Sequence, residues 1–227
     1  MQSIAIVDER YESLPVFPLP TFVLFPQTTT RLHVFEPRYR MLVSDALATN
    51  RLLVLVGLKP GWEDNYYGSP PAHEFGSLCR IVNEERLEDG RYNLYVHCLA
   101  RVRLRTIHQL QPYRTAEVEV IDDTLDEPVA LDAAIERLTS TVRGLMLQRG
   151  DHAALLAAAL SSSKKPGILT HRLAAVLAFE PTIRQQLLET PSPLQRAERL
   201  CDIAGDLLLR TTELSLVAEG GDGELLN

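Results

Sequence analysis

An α+β fold is expected from this chain, with a β-rich amino-terminal half followed by a helical carboxy-terminal half. Three observations carry that expectation. Between residues 28 and 121, one early helical stretch apart, the apolar residues fall in short β-branched runs or alternate with polar ones, the two patterns of strands. After Pro128 the apolar residues recur with the 3.6-residue period of amphipathic helices. Between the two lies Asp122–Pro128, an acidic, proline-terminated segment that marks the boundary. The expected division is 1–121, a β-rich domain; 122–217, a helical subdomain; and 218–227, a disordered tail rich in glycine and acid.

Residues 1–12 form a polar leader with room for one short strand. Residues 14–26 (LPVFPLPTFVLFP) combine Pro15, Pro18, Pro20 and Pro26 with eight large apolar residues. The prolines lack a backbone donor and fix φ, which argues against a helix or a central strand. Val16, Phe17, Leu19, Phe22, Val23, Leu24 and Phe25 are too apolar for a solvated loop. An extended, edge-like ribbon lying on a β core satisfies both constraints. Residues 28–35 then read as a strand. Residues 37–49 read as a helix with Pro37 in its first turn, Glu36 at its positive end, and Tyr39, Leu42, Val43, Ala46 and Leu47 on one face.

Residues 51–58 (RLLVLVGL) are a short apolar run suited to a strand buried on both sides. Residues 59–76 form a long loop. Residues 78–88 and 91–107 pair as a hairpin through Asp89-Gly90, a pair suited to a type I′ turn. In the second strand Tyr92, Leu94, Val96, Cys98, Ala100, Val102 and Leu104 face the core, and Arg91, Asn93, Tyr95, His97, Arg101, Arg103 and Arg105 face the wetter side. A strand of that length is expected to bend or bulge. After a turn near Gln111-Pro112, residues 115–121 add a further strand. Helices follow at 131–146, 153–160, 168–179, 182–189 and from Pro193 to about 214, with Pro181 and Pro193 in first turns.

Composition excludes several functions. The formal charge of −7 disfavours non-specific binding to nucleic acid or to membrane surfaces, both of which need positive potential. No signal peptide opens the chain and no run reaches the length of a membrane span, so a cytoplasmic location is expected. Cys79, Cys98 and Cys201 read as small core residues in a reducing compartment, with a Cys79–Cys98 bridge across the hairpin as the alternative.

The chemistry of known active sites is missing. There is no phosphate-binding G-x-x-x-x-G-K-[ST] loop, no G-x-S-x-G elbow and no H-E-x-x-H zinc helix. The six histidines are scattered and no Cys or His pair has zinc spacing, so neither cofactor nor metal is expected. Arg101, Arg103 and Arg105 form a basic stripe. Glu117 and Glu119 alternate in the same way on the next strand, so Arg105 is expected to face Glu117 and Arg103 to face Glu119, neutralising the stripe.

Two segments suit contact with another chain. Trp62, Tyr66, Tyr67 and Phe75 gather aromatic area on the 59–76 loop, where it can anchor a partner or fold back as a plug on the barrel. Phe17, Phe22, Phe25 and Phe35 read as core. The ribbon that holds Phe22 and Phe25, however, leaves an edge to which an extended segment can add as a strand. The candidate binding residues are therefore Trp62, Tyr66, Tyr67, Phe75, Phe22 and Phe25.

The segments LPVFPLPTFVLFP (14–26), LHVFEPRYRMLV (32–43) and DGRYNLYVHCLARVRL (89–104) resemble the amino-terminal, substrate-binding domain of Lon proteases. The resemblance continues in HRLAAVLAFEPTIRQQLLETPSPLQRAERL (171–200) and spans roughly residues 13–210. It implies a PUA-like β pseudo-barrel with a helical subdomain attached. It also implies a binding role for unfolded or apolar protein segments, alone or beside a separate Lon-type protease. The ATPase and Ser–Lys protease modules of full-length Lon would lie beyond the end of this chain, so catalysis is not carried over. The alternatives are a hydrolase with an unrecognised site and a PUA-like RNA-binding module, the latter requiring exposed, unpaired Arg101, Arg103 and Arg105.

Overall fold

A computed structural model describes residues 10–65, 68–108, 112–148 and 150–220. Six strands, β1 (Arg10–Leu19), β2 (Thr29–Val34), β3 (Leu52–Gly57), β4 (Phe75–Arg86), β5 (Tyr92–His108) and β6 (Arg114–Ile121), form one sheet. The strand order is β2-β5-β4-β3-β1-β6, and β6 pairs back onto β5. Five strands therefore close a barrel, and β2 is the described strand with a single partner. β1 and β3 are parallel, and their crossover carries β2 and helix α1 (Pro37–Ala48).

The proline-rich segment is not the edge ribbon that its composition suggests. β1 pairs with β6 along Arg10–Val16 and with β3 along Val16–Leu19. Pro15 lies where only β6 is a partner and Pro18 where only β3 is, so each proline has a side on which no ladder bond is due. That staggered pairing lets two prolines sit inside a closed barrel. The open edge belongs to β2 instead.

Two apolar clusters use the opposite faces of the strands. Leu53 and Leu55 of β3 join Phe17, Leu24, Leu94 and Val96 against Leu42, Val43 and Ala46 of α1. Leu52, Val54 and Val56 join Leu14, Val16, Leu78, Val102 and Leu104. The continuous apolar run of β3 follows from burial on both sides. β5 bends as expected. Its register against β4 shifts at Leu99, and its register against β6 shifts between Leu104 and Thr106.

Gly76 fills the closest approach between β4 and β3, where a Cβ would lie 2.6 Å from the carbonyl oxygen of Leu55. The β4–β5 hairpin turns through Glu88, Asp89 and Gly90. Of the Asp89-Gly90 pair only Gly90 has positive φ, at 80°, and its N–H donates to Leu87 O. The connection is thus a tight turn closed by a left-handed glycine, not the expected type I′ turn, because three loop residues rather than two join the strands.

The chain divides into two compact units, and the division is interleaved rather than one cut near residue 121. The first comprises 1–122 and 180–191, so helix α5 (Pro181–Glu189) belongs with the barrel. The second comprises 123–179 and 192–227. Its helices are α2 (Pro128–Gln148), α3 (Gly150–Ser161), α4 (Pro166–Leu177) and α6 (Pro193–Gly220). Helix α2 packs on α3 and α6, and α4 packs on the same two. The expected stripe of α2 is realised by Ala134, Leu138, Val142 and Leu145, all buried. Residues 218–220 of the expected tail continue α6. Residues 1–9 and 221–227 lie outside the described residues.

Inside the second unit, Arg196 is wholly buried and forks onto Asp123, with Nη1 donating to Oδ1 at 2.8 Å and Nη2 to Oδ2 at 2.9 Å. Gly167 makes room for that carboxylate, since a Cβ there would meet Oδ2 at 2.0 Å. Asp126 accepts from Ser192 Oγ at 2.7 Å and from the Leu194 N–H at 2.7 Å. The acidic segment read as a boundary is therefore bonded to α6.

Candidate functional site

The barrel unit carries a groove of about 490 Å³ where the 20–28 loop, the end of β3, the 59–74 loop and α5 meet. That volume falls within the 300–1,000 Å³ typical of ligand pockets. Phe22 and Val23 come from the first loop, Gly57 from the end of β3 with Leu58 just after it, and Trp62 from a single 3₁₀ turn at Trp62–Asn65. Gln185 and Glu189 come from α5.

The 59–74 loop is sewn down at both ends. Leu58 N–H donates to Leu19 O at 3.0 Å, Lys59 N–H to Pro71 O at 2.8 Å, and His73 N–H to Gly57 O at 2.9 Å. Trp62 belongs to neither apolar cluster; it is half-buried and lines the groove. Thr21, at the rim, has φ 49°, which costs a β-branched residue of order 1 kcal/mol or more and re-aims the chain before Phe22.

Two arginines, Arg101 buried and Arg184 half-buried, hold α5 as the opposite wall. Arg184 Nη2 donates to Val23 O at 2.8 Å, and its guanidinium lies 5.3 Å from the centre of the Phe25 ring. Burial pulls the Arg184 pKa down from the usual arginine value. Arg101, 2% exposed, reaches the carboxy-terminal end of α5, with Nη1 donating to Leu188 O and Thr190 O at 3.2 and 2.9 Å. Its Nη2 donates to Ile121 O and Asp122 O at 3.4 and 3.0 Å. One cation thus ties the end of α5 to the end of β6, and favours the negative helix end as it does so.

The polar lining is acceptor-rich. Gln185 uses both amide hydrogens, donating to Phe75 O at 3.2 Å and Glu189 Oε1 at 2.8 Å. His73 Nδ1 lies 3.8 Å from Glu189 Oε1. Burial lowers the His73 pKa, Glu189 opposes that shift and Lys59 adds to it, so the ring is neutral at pH 7. The neighbouring Glu74 is turned elsewhere, its Oε2 accepting from Arg103 Nη2 at 3.2 Å.

Of the six residues predicted for binding, Trp62 and Phe22 meet at this groove. Phe25 is 0% exposed in the core and cannot touch a partner. Alternation in the proline-rich segment does not disclose this, because the chain leaves strand geometry after Leu19. Phe75 is the first residue of β4 rather than a loop residue, with Arg103 5.7 Å above its ring. Tyr66 and Tyr67 lie outside the described residues. Phe35, read as core, is 59% exposed, because the strand ends at Val34 and Phe35 lies in the two-residue link before α1 starts at Pro37. Gln185 and Glu189 have no sequence signal of their own: they face the groove only because α5 joins the barrel unit.

The arginine stripe is dispersed. Arg101 is buried among carbonyls, Arg103 pairs with Glu74, and Arg105 bonds Glu119 rather than Glu117, with Nε donating to Oε2 at 2.7 Å. Arg103 and Glu119 stand opposite each other, as alternation predicts. The bulge after Leu104 then shifts the register, so that Thr106 faces Glu117 and Arg105 turns to Glu119. Cys79 and Cys98 are direct cross-strand partners and both are free, as is Cys201. Burial and a hydrogen bond to Cys98 push the Cys79 thiol well above its ordinary pKa. Among the described residues, no three His, Cys, Asp or Glu side chains converge as metal ligands, and no helix is long and apolar enough to cross a membrane.

The fold is that of the amino-terminal domains of Lon proteases. The amino-terminal domain of a Mycobacterium avium complex Lon protease superposes with a TM-score of 0.66 at 17% identity, covering 86% of this chain and 99% of that one. The Lon N-terminal domain protein from Xanthomonas campestris superposes with a TM-score of 0.58 at 26% identity, covering 84% and 97%.

The family itself follows from sequence. Residues 13–205 match the ATP-dependent protease La (LON) substrate-binding domain, and the chain belongs to that family. It is 31% identical over 169 residues to Lon protease 2 of Sorangium cellulosum, covering 72% of this chain and 20% of that protein. It is 31% identical over 212 residues to Lon protease 1 of Thermus thermophilus, covering 88% and 25%. The chain thus spans between a fifth and a quarter of these relatives, and the match lies in the substrate-binding domain, outside the catalytic modules.

Proposed function

We propose that this protein is a polypeptide-binding module that takes extended, apolar segments of other proteins into the groove between the 59–74 loop and α5, without catalysis of its own. One observation carries the reading. In a chain of a substrate-binding family, Trp62 stands half-buried at a groove outside both apolar clusters, and Phe22, half-buried at the edge of one cluster, lines the same groove. Unfolded chains expose apolar side chains together with free backbone donors, and a groove with apolar walls and an acceptor-rich floor complements both. Delivery of such segments to a separate Lon-type protease is the role that the relatives suggest for it.

The test is calorimetric titration with reduced, carboxymethylated α-lactalbumin, which stays unfolded, against the native form. Binding of the unfolded form alone is expected. Trp62→Ala should weaken it at least tenfold while leaving the melting temperature within a few degrees, as for a hot spot in a groove; Phe22→Ser should weaken it too, with a larger fall in melting temperature because Phe22 also packs on the core. Equal binding of both forms, or unchanged affinity in both variants, overturns the reading.

A further inference from the structure

Resting on the groove as a polypeptide site, we infer that it selects segments in which a large apolar residue is closely followed by lysine or arginine. The argument is charge complementarity. The charged side chains lining the groove among the described residues are Glu63 and Glu189, with a neutral His73 beside the latter. Among the described residues no lysine or arginine lines it. The nearby cations are otherwise placed. Arg184 on α5 is bonded to Val23 O and lies over Phe25, and Lys59 is exposed outside the lining.

The two carboxylates flank the apolar stretch from different elements. Glu63 is exposed on the 3₁₀ turn beside Trp62, with no partner among the described residues. Glu189 is held at the other wall by Gln185 Nε2 at 2.8 Å. A segment that seats an apolar side chain near Phe22 and Trp62 has carboxylates within reach of its flanking residues.

Gln185 adds a backbone-reading element. The residue is 5% exposed, and both its amide hydrogens are spent on Phe75 O and Glu189 Oε1. No described donor reaches its Oε1, which therefore remains an acceptor on a rigidly held side chain that lines the groove. An extended peptide supplies the matching N–H. Acidic flanks are disfavoured twice, by Glu63 and by Glu189, which is how like charges reject wrong partners.

Three short peptides with the same Phe-Leu-Phe centre, flanked by lysines, serines or glutamates, separate the alternatives. Binding is read through the fluorescence of Trp62, the chain's one tryptophan. The lysine-flanked peptide is expected to bind about tenfold tighter than the glutamate-flanked one, as two exposed charge pairs allow. Raising salt to about 0.5 M should erase most of that gap. Glu63→Gln, which breaks no described contact, should cut the lysine preference about threefold while leaving the serine-flanked peptide unchanged; Glu189→Gln should act in the same direction. Equal affinity for all three peptides overturns the charge selection and leaves apolar binding standing. Absence of binding by all three refutes the groove itself. A preference that survives in both variants places the cation site elsewhere and refutes the assignment.

Discussion

Arg101→Met tests how the groove's α5 wall is held. The substitution keeps an unbranched apolar stem and removes the guanidinium. Three of its contacts are short, to Thr190 O at 2.9 Å, Asp122 O at 3.0 Å and Leu188 O at 3.2 Å, and a fourth, to Ile121 O, is stretched to 3.4 Å. Hydrogen bonds from a charged donor contribute about 1.5–3 kcal/mol each, so the three short ones sum to roughly 5–9 kcal/mol. Methionine also avoids burying a charge, which costs several kcal/mol and offsets part of the loss. The expected net destabilisation is about 3 kcal/mol, roughly a 150-fold shift in the folding equilibrium. Urea unfolding followed by Trp62 fluorescence reads the barrel unit directly, and the midpoint should fall without a change in slope. Arg101→Lys keeps the charge but not the fork, and should recover less than half of the loss. A drop under about 1 kcal/mol for Arg101→Met would show that the carbonyls do as well with water, and would refute the role given to this residue.

Three further predictions concern other parts of the molecule. Gly76→Ala forces a Cβ toward Leu55 O, 2.6 Å away on a neighbouring strand, and should cost about 1–3 kcal/mol in chemical denaturation. Asp123→Ala leaves the buried guanidinium of Arg196 without its fork partner. It should destabilise the helical unit by about 3–5 kcal/mol, seen as an earlier loss of helical circular dichroism with little change in Trp62 fluorescence. Tyr113 donates to Asp45 Oδ2 at 2.6 Å, and burial together with that carboxylate pushes its pKa up to about 12 from 10.0. Its contribution to stability is therefore full below pH 10, where the unfolded chain still keeps the phenol protonated, and is lost as pH rises from 10 to 12. Ultraviolet titration should show Tyr113 ionising late, and Tyr113→Phe should remove one tyrosine from the late step, which Tyr39, raised by its own burial, continues to share.

Much of the fold was legible because local patterns set it. Leu53 to Val56 could only be a strand buried on both faces. The even-numbered residues from Tyr92 to Leu104, expected on one face, are all buried but divided by the bulge at Leu99, with Tyr92 to Cys98 in one apolar cluster and Val102 and Leu104 in the other. Pro37, Pro166, Pro181 and Pro193 each open a helix, where the missing N–H is not needed. The site was legible only in part. Trp62 and Phe22 could be picked out as large aromatic residues in irregular or proline-rich sequence. Which of the aromatic residues nearby would be buried could not, and Phe25, three residues from Phe22, is wholly enclosed.

What the sequence by itself determined was the kind of element at each position, the change of period near residue 122 and the family. Each depends on neighbours a few residues apart, or on segments that match as strings. Only the tertiary structure decided that β1 closes a barrel, that α5 joins the β unit, and that Arg101 turns from an apparent surface stripe to grip carbonyls more than eighty residues away in sequence. A guanidinium is buried or exposed according to which unpaired carbonyls surround it. Those are supplied by chain ends brought together on folding, a fact that no local periodicity records.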